Sequence, residues 1–252
     1  MNLLHNKHLS CKTKLLYWRI VKMLPFIEVL TPEEVERIHL ASLDLMEEVG
    51  IEFKEESVLN IFKETGFPVE KSIVRIPSYR VEEALRTVPE RFTRYGPDGR
   101  YKFTMGGGEV NFGVGSLPID VLDIETGKIR KAVKRDMVDF ARLGDALDNF
   151  SIANACVQPA DVPEEIIHVV WLEVLFTNTR KPFCCWYARE PQVAKDTIAV
   201  ASAAQGGVEK VAKMKTIALT ICPDGALSWG KSIIGLVECS KVGIPVEIMP
   251  MP

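Results

Sequence analysis

Residues 215–223 read KTIALTICP. Between the lysine and the proline runs a nearly continuous apolar stretch with isoleucine and threonine spaced through it. A run this short, β-branched and ended by proline, is the pattern of a strand covered on both faces, as in a parallel sheet flanked by helices. Three more stretches share the character: FSIANACVQP at 150–159, KPFCCWYA at 181–188 and PVEIMPMP at 245–252. Helical patterns separate them, at 163–178, 191–205 and 228–242. The unit recurs roughly every thirty residues, the size of one strand–helix–strand unit. The helix over 163–178 is apolar on most sides, through Ile166, Ile167, Val169, Val170, Leu172, Val174, Leu175 and Phe176. Such a helix is expected between layers rather than on a surface.

Four such units in a row describe either a doubly wound α/β sheet or half of an eight-stranded barrel. The pattern does not separate the two. In both, chemistry collects beyond the carboxyl ends of the strands. Those ends supply Gln158 and Asp161, then Trp186, Tyr187, Arg189 and Glu190, then Asp224 and Ser228, then Met249 and Met251. Trp186 and Tyr187 are suited to an aromatic wall for a cation, with Glu190 as its charge complement; the competing reading is that alternate residues there pack under a helix. Asp161, followed three residues later by Glu164, also reads as a helix-capping pair.

Upstream, residues 23–149 read as a mixed α+β portion. Thr31, Pro32 and Glu34 form a capping signature, and Val35, Ile38, Ser42, Leu45 and Val49 then fall on one helical face before Gly50. Further helices are expected near 55–65 and 79–88. RFTRYGPDGRYKF at 91–103 reads as strand, turn, strand, and 109–133 as two or three short strands with a turn at Glu125, Thr126 and Gly127. A helix over 134–147 follows, with Met137, Phe140, Ala141, Gly144 and Leu147 on one face. Residues 1–22 carry five basic and no acidic side chains and read as an unstructured basic leader; Met23 would serve equally as a start.

With 47% hydrophobic and 26% charged residues and a net charge of -3, the chain is an ordinary globular composition with no polyanion partner implied. No apolar run is long enough for a membrane helix. The six cysteines form no C-x-x-C pair, which suits reduced thiols in a cytoplasmic protein. Adjacent Cys184 and Cys185 point to opposite faces of a strand and cannot chelate together. His39 and His168 stand alone in helices, so no metal site is expected. MGGGEVNFGVGS at 105–116 is followed by strand and turn rather than a helix, so its glycines serve turns, not a phosphate loop.

Several separated stretches together resemble the trimethylamine methyltransferase family: LTPEEVERIHLASLDLMEEVGIEF (30–53), GVGSLPIDVLDIETGKIRKAVKRDMVDFARLGDALDNF (113–150), VQPADVP (157–163), TNTRKP (177–182) and PVEIMPMP. They lie in order and span nearly everything from Leu24 onward. The resemblance implies a (β/α)8 TIM barrel, with about its first four strands in 150–252 and an α+β portion in 23–149. It implies transfer of a methyl group from a methylated amine, trimethylamine or a quaternary amine such as glycine betaine, to cobalamin carried by a separate corrinoid protein. No cofactor is then bound directly, and no nucleic acid or membrane partner is involved. A homo-oligomer is expected at full length. Substrate contact is expected from Trp186, Tyr187 and Glu190, with Gln158 and Asp161 shaping the mouth and Met249 and Met251 lining it. No catalytic residue is assigned.

On this reading PVEIMPMP is the fourth of eight barrel strands, cut before its helix. A half-barrel has unpaired edges, so self-association and no turnover by the chain alone are expected. The alternative is an inactive fragment, or an interaction protein that keeps the corrinoid-protein docking surface.

Overall fold

The computed structural model describes residues 29–115 and 117–249, with the side chains of Trp186 and Tyr187 excepted. The basic leader lies outside the described residues. Two compact units divide the chain: residues up to Phe92 with Thr104–Val110, and Thr93–Phe103 with the residues from Asn111 onward.

In the first unit, helix α1 (Pro32–Asp44) opens on the capping box. The Thr31 hydroxyl accepts from the Glu34 N–H at 3.2 Å, and the Glu34 carboxylate accepts from the Thr31 N–H at 2.7 Å. One π-turn (Leu45–Val49) follows and ends at Gly50, whose φ of 86° suits glycine. Strand β1 (Ile51–Phe53), helix α2 (Glu56–Glu64), strands β2 (Val69–Glu70) and β3 (Ile73–Val74) and helix α3 (Ser78–Thr87) come next. β3 pairs antiparallel with both β1 and β2.

The apolar stripe expected on α1 is not its buried side. Ile38, Leu45 and Val49 are exposed, whereas Leu43 is buried and Met46 half-buried. The physical reason is that α3 fixes the rotation of α1. His39 Nε2 lies 2.8 Å from the Glu82 carboxylate, and Glu47 accepts from the backbone and hydroxyl of Ser78.

Strands β4 (Arg91–Tyr95) and β5 (Lys102–Gly106) form a hairpin around the expected turn, where Gly99 N–H donates to Gly96 O. In the second unit come β6 (Phe112–Gly113), β7 (Asp120–Leu122), β8 (Ile129–Lys131), α4 (Lys134–Ala146) and β9 (Phe150–Ile152). Then follow α5 (Ile167–Asn178), β10 (Phe183–Tyr187), α6 (Pro191–Gln205), α7 (Val208–Met214), β11 (Ile217–Ile221), β12 (Ser228–Trp229), α8 (Ser232–Val242) and β13 (Val246–Ile248).

β10, β11 and β13 are neighbours in that order and run parallel. The chain just after β9 lies beside β10, through an Ala153 N–H to Pro182 O bond of 3.0 Å, and β9 pairs parallel with β6. β10, β11 and β13 are therefore laid side by side in chain order. The architecture is mixed α/β, and the described strands do not close into a barrel.

Three boundaries differ from the sequence reading. β9 ends at Ile152, and 153–160 is irregular. The last helix starts at Ser232 rather than 228, because Asp224 N–H donates to Ser228 O in a tight turn that includes β12. α7 was not expected; Gly206 and Gly207, with φ of 83° and 124°, turn the chain back after α6 and let α7 pack against it and α8.

The core forms where the helices cover the sheet. Phe183, Cys185, Ile217, Leu219 and Ile221 are buried with Trp171, Leu172 and Leu175 of α5, Ala194 and Ala201 of α6 and Cys239 of α8. α5 packs against α4, α6 and β10, which explains its apolar composition on most sides.

Candidate functional site

Alternation along β10 sorts its side chains. Cys185 Sγ lies 3.1 Å from the Thr197 hydroxyl of α6, on the helix side. Cys184 lies on the other side, within electrostatic reach of Arg94 and Glu247. The two adjacent thiols thus face opposite ways, as strand geometry requires. Burial, the largest influence, pushes the Cys184 thiol up; the Arg94 charge opposes this and Glu247 adds to it.

The pairing of β10 with β11 carries an irregularity. Cys184 pairs with Ala218, but Tyr187 pairs with Thr220, so three steps on β10 match two on β11. One extra residue is accommodated, as in a β-bulge. Thr220 in turn pairs with Glu247 of β13. Tyr187, Thr220 and Glu247 therefore occupy one register row across three parallel strands. The Thr220 hydroxyl donates to the Glu247 carboxylate at 2.9 Å.

The expected site residues lie around this row. After β9, Cys156 adopts a φ of 52°, a left-handed conformation uncommon for a residue with a side chain. The chain turns there, and Gln158 N–H donates to Pro118 O at 3.0 Å, leaving Gln158 half-buried. Asp161 is exposed and accepts from the Lys134 N–H at 2.7 Å. It caps α4, which is distant in sequence, rather than the helix that follows it. Glu190 stands immediately before α6 and pairs with Lys231 at 3.1 Å, both side chains more than half exposed. Met249 follows β13, its N–H donating to Ile221 O at 2.9 Å. Trp186 and Tyr187 have described strand positions but no described side chains, and Met251 lies outside the described residues. Arg189, Asp224 and Ser228 complete the loops after β10 and β11. Gln158, Glu190 and Met249 thus each stand where a parallel strand or its continuation ends.

The opposite, amino-terminal end of the strands is closed by two buried cations. Arg94 donates to the carbonyls of Phe183, Lys215 and Thr216 at 2.6, 3.0 and 3.1 Å. Lys181 donates to the carbonyls of Gly144 and Leu147 at 2.9 and 2.7 Å, at the carboxyl end of α4. A cleft of about 400 Å³ opens at this end, lined by Asp98, Arg100, Tyr101, Asp145, Asp148, Arg180 and Lys181. The TNTRKP stretch sits here and holds α4: Asp145 accepts from the Thr179 hydroxyl and from both the backbone and side chain of Arg180.

The sequence reading passed over Arg94, Thr220 and Glu247. Their signal was present in the strand alternation: a polar or small residue at every second position of strands that a doubly covered sheet would fill with apolar ones. Among the described residues, no three His, Cys, Asp or Glu side chains gather as a metal-ligating group, and no helix is long and apolar enough to cross a membrane. His39 and His168 are instead held by Glu82 and Asp196, each at 2.8 Å.

The comparisons with known proteins agree with one another. The chain is 29% identical over 227 residues to "Trimethylamine methyltransferase MttB" of Desulfitobacterium hafniense (strain DSM 10664 / DCB-2), covering 87% of this chain and 45% of that protein. It is 27% identical over 233 residues to "Glycine betaine methyltransferase" of Desulfitobacterium hafniense (strain Y51), covering 90% and 47%. A "Trimethylamine methyltransferase MttB" of Methanosarcina thermophila is 26% identical, covering 89% and 48%. The chain spans about half the length of the curated relatives it matches. The family profile described as "Trimethylamine methyltransferase (MTTB)" matches residues 5–251. A match over nearly the whole chain places it: this chain belongs to the trimethylamine methyltransferase family.

Proposed function

We propose that the chain belongs to an enzyme that moves a methyl group from a methylated amine to the cobalt of a corrinoid carried by a separate protein. The observation that carries this reading is the family match over residues 5–251. Relatives named for trimethylamine and for glycine betaine support methylated amines as the substrate class. The fold supporting it is a TIM barrel whose first four parallel strands are β9, β10, β11 and β13, within 150–252, preceded by the α+β portion 23–149. Strands β10, β11 and β13 lie in chain order, as in a barrel and equally in one half of a doubly wound sheet; the barrel is the fold that the family resemblance implies.

A fully methylated nitrogen has no proton to donate or lose. It is held by aromatic faces and by a carboxylate at short range. Trp186 and Tyr187 stand at the end of β10 to supply the faces, and Glu190 follows them. Gln158 and Asp161 border the mouth from the segment after β9, and Met249 from the end of β13. The corrinoid, as the second substrate, supplies the nucleophile that takes the methyl carbon; the C–N bonding electrons stay with the departing amine. The residues of this chain orient the ammonium and exclude water. The cytoplasm, where thiols stay reduced, suits the free cysteines Cys156, Cys184, Cys185, Cys222 and Cys239.

Calorimetric titration tests the reading. Trimethylammonium or glycine betaine is expected to saturate the chain, while ammonium and glycine, of like charge but without N-methyl groups, do not. Equal responses to methylated and unmethylated ligands overturn it.

A further inference from the structure

We infer that Glu247 is the carboxylate that positions the ammonium of the substrate, with Thr220 holding it in place. The inference rests on the methylated-amine reading above and deepens it. Four observations carry it.

Glu247 stands on the sheet face turned away from the helices. Its register partner Thr220 is flanked by Leu219 and Ile221, which both enter the helix-covered core, so Thr220 and Glu247 occupy the other face. On that face the Glu247 carboxylate does not hang outward from β13. It accepts from the Thr220 hydroxyl on β11, so it leans toward the neighbouring strand. Glu247 is exposed, so a cation can reach its carboxylate from solvent.

Tyr187 shares the row. The extra residue in β10 brings Tyr187, rather than Trp186, into register with Thr220 and Glu247. An aromatic position and a carboxylate position at one level of a parallel sheet form the pair that a quaternary ammonium requires.

The β11 side chains on this face are small: Ala218 and Thr220, both buried.

The competing carboxylate is already neutralised. Glu190 forms an ion pair with Lys231, and both are largely exposed to water. Glu247 has no ion-pair partner among the described residues; its hydrogen-bond partner is the Thr220 hydroxyl. A carboxylate with a neutral partner keeps its charge available to a cation.

The test is titration of the unaltered chain, Glu247→Gln, Glu190→Gln and Glu238→Gln with tetramethylammonium, and with its uncharged near-isostere neopentyl alcohol, which adds one hydroxyl. E238Q removes the same charge from the far side of α8, where Glu238 pairs with Lys241. E247Q is expected to weaken tetramethylammonium at least about tenfold, the loss of one close charge interaction in a partly screened site. The isostere should bind E247Q and the unaltered chain alike, and E238Q should match the unaltered chain with both. Thr220→Val should give part of the E247Q loss. Unchanged cation binding in E247Q, or a loss confined to E190Q, overturns the assignment and leaves the methylated-amine reading standing. Equal weakening of cation and isostere in E247Q makes Glu247 structural and also overturns it. No cation binding by the unaltered chain overturns both.

Discussion

Arg180 gives the carboxylate of Asp145 its backbone N–H at 2.7 Å and its guanidinium at 3.0 Å. One residue thus joins the end of α4 to the start of β10. Burial pushes the Asp145 carboxyl up, but the Arg180 backbone, the Arg180 side chain and the Thr179 hydroxyl outweigh it and hold it below the usual carboxylate range. A depressed carboxyl adds stability that is present above its unfolded value, near pH 4, and is lost as pH falls through the folded value. Asp145→Asn should cost about 1–3 kcal/mol at neutral pH and flatten the acid side of the stability profile. Urea titrations between pH 3 and about pH 7 measure both effects.

Lys181 is buried, and its ammonium meets two carbonyls rather than a carboxylate. Lys181→Met keeps the apolar stem and removes the donor. The carbonyls of Gly144 and Leu147 are then left without it, at a cost of about 1–3 kcal/mol. A fall in urea midpoint with unchanged slope is the expected result.

Gly96 lies against the backbone of Arg180. A methyl group there would sit 1.6 Å from the Arg180 carbonyl oxygen, and a backbone atom cannot rotate away. Gly96→Ala should destabilise by about 3 kcal/mol or more, at the upper end of overpacking costs. Thermal melting of the variant gives the answer directly.

The β7–β8 hairpin turns on Asp123. Its carboxylate accepts from the Thr126 N–H and hydroxyl and from Arg130, which hold its pKa down to about 2. Arg130 also pairs with Asp136 at 2.7 Å, tying the hairpin to the start of α4. Because the folded value is depressed, the turn should persist well below the unfolded carboxyl range and loosen only as pH falls through about 2. Carboxyl carbon NMR should place the Asp123 midpoint there; a midpoint near 4 would sink the assignment.

The thiols offer a separate check. Burial pushes Cys156 and Cys239 up to about 12, Cys239 with help from neighbouring Cys185 and Glu238. At pH 8 the native chain should therefore react slowly with a thiol reagent at both positions and quickly once unfolded in urea.

Much of this fold was legible because its strands are short apolar runs between helices with clear stops. α6 begins and ends at the expected residues, 191 and 205, with proline at one end and glycine beyond the other. α1 shows where legibility ends. Its caps were readable, but the side it buries depends on His39 meeting Glu82, 43 residues away, and composition cannot reveal that contact. α7 escaped because its start depends on two glycines with positive φ rather than on a cap side chain. The site was half legible. The carboxyl ends of the strands follow from the repeat, whereas the row through Thr220 and Glu247 needs the register, and the register depends on one extra residue in β10. Asp161 reads in sequence as a local cap and turns out to serve α4, because only folding brings residue 134 beside it.

Arg94 has a consequence beyond stability. It is neutralised by carbonyl dipoles, and among the described residues no carboxylate pairs with it, so its full positive charge persists beneath the starts of β10 and β11. Glu247 stands nearer the other end. The parallel strands thus carry a voltage along their own axis, positive at the floor and negative toward the mouth. If the proposed function holds, a permanently charged amine would be drawn to the level of Glu247 and repelled from any deeper position, so that a field would set depth of binding before any contact fixes orientation.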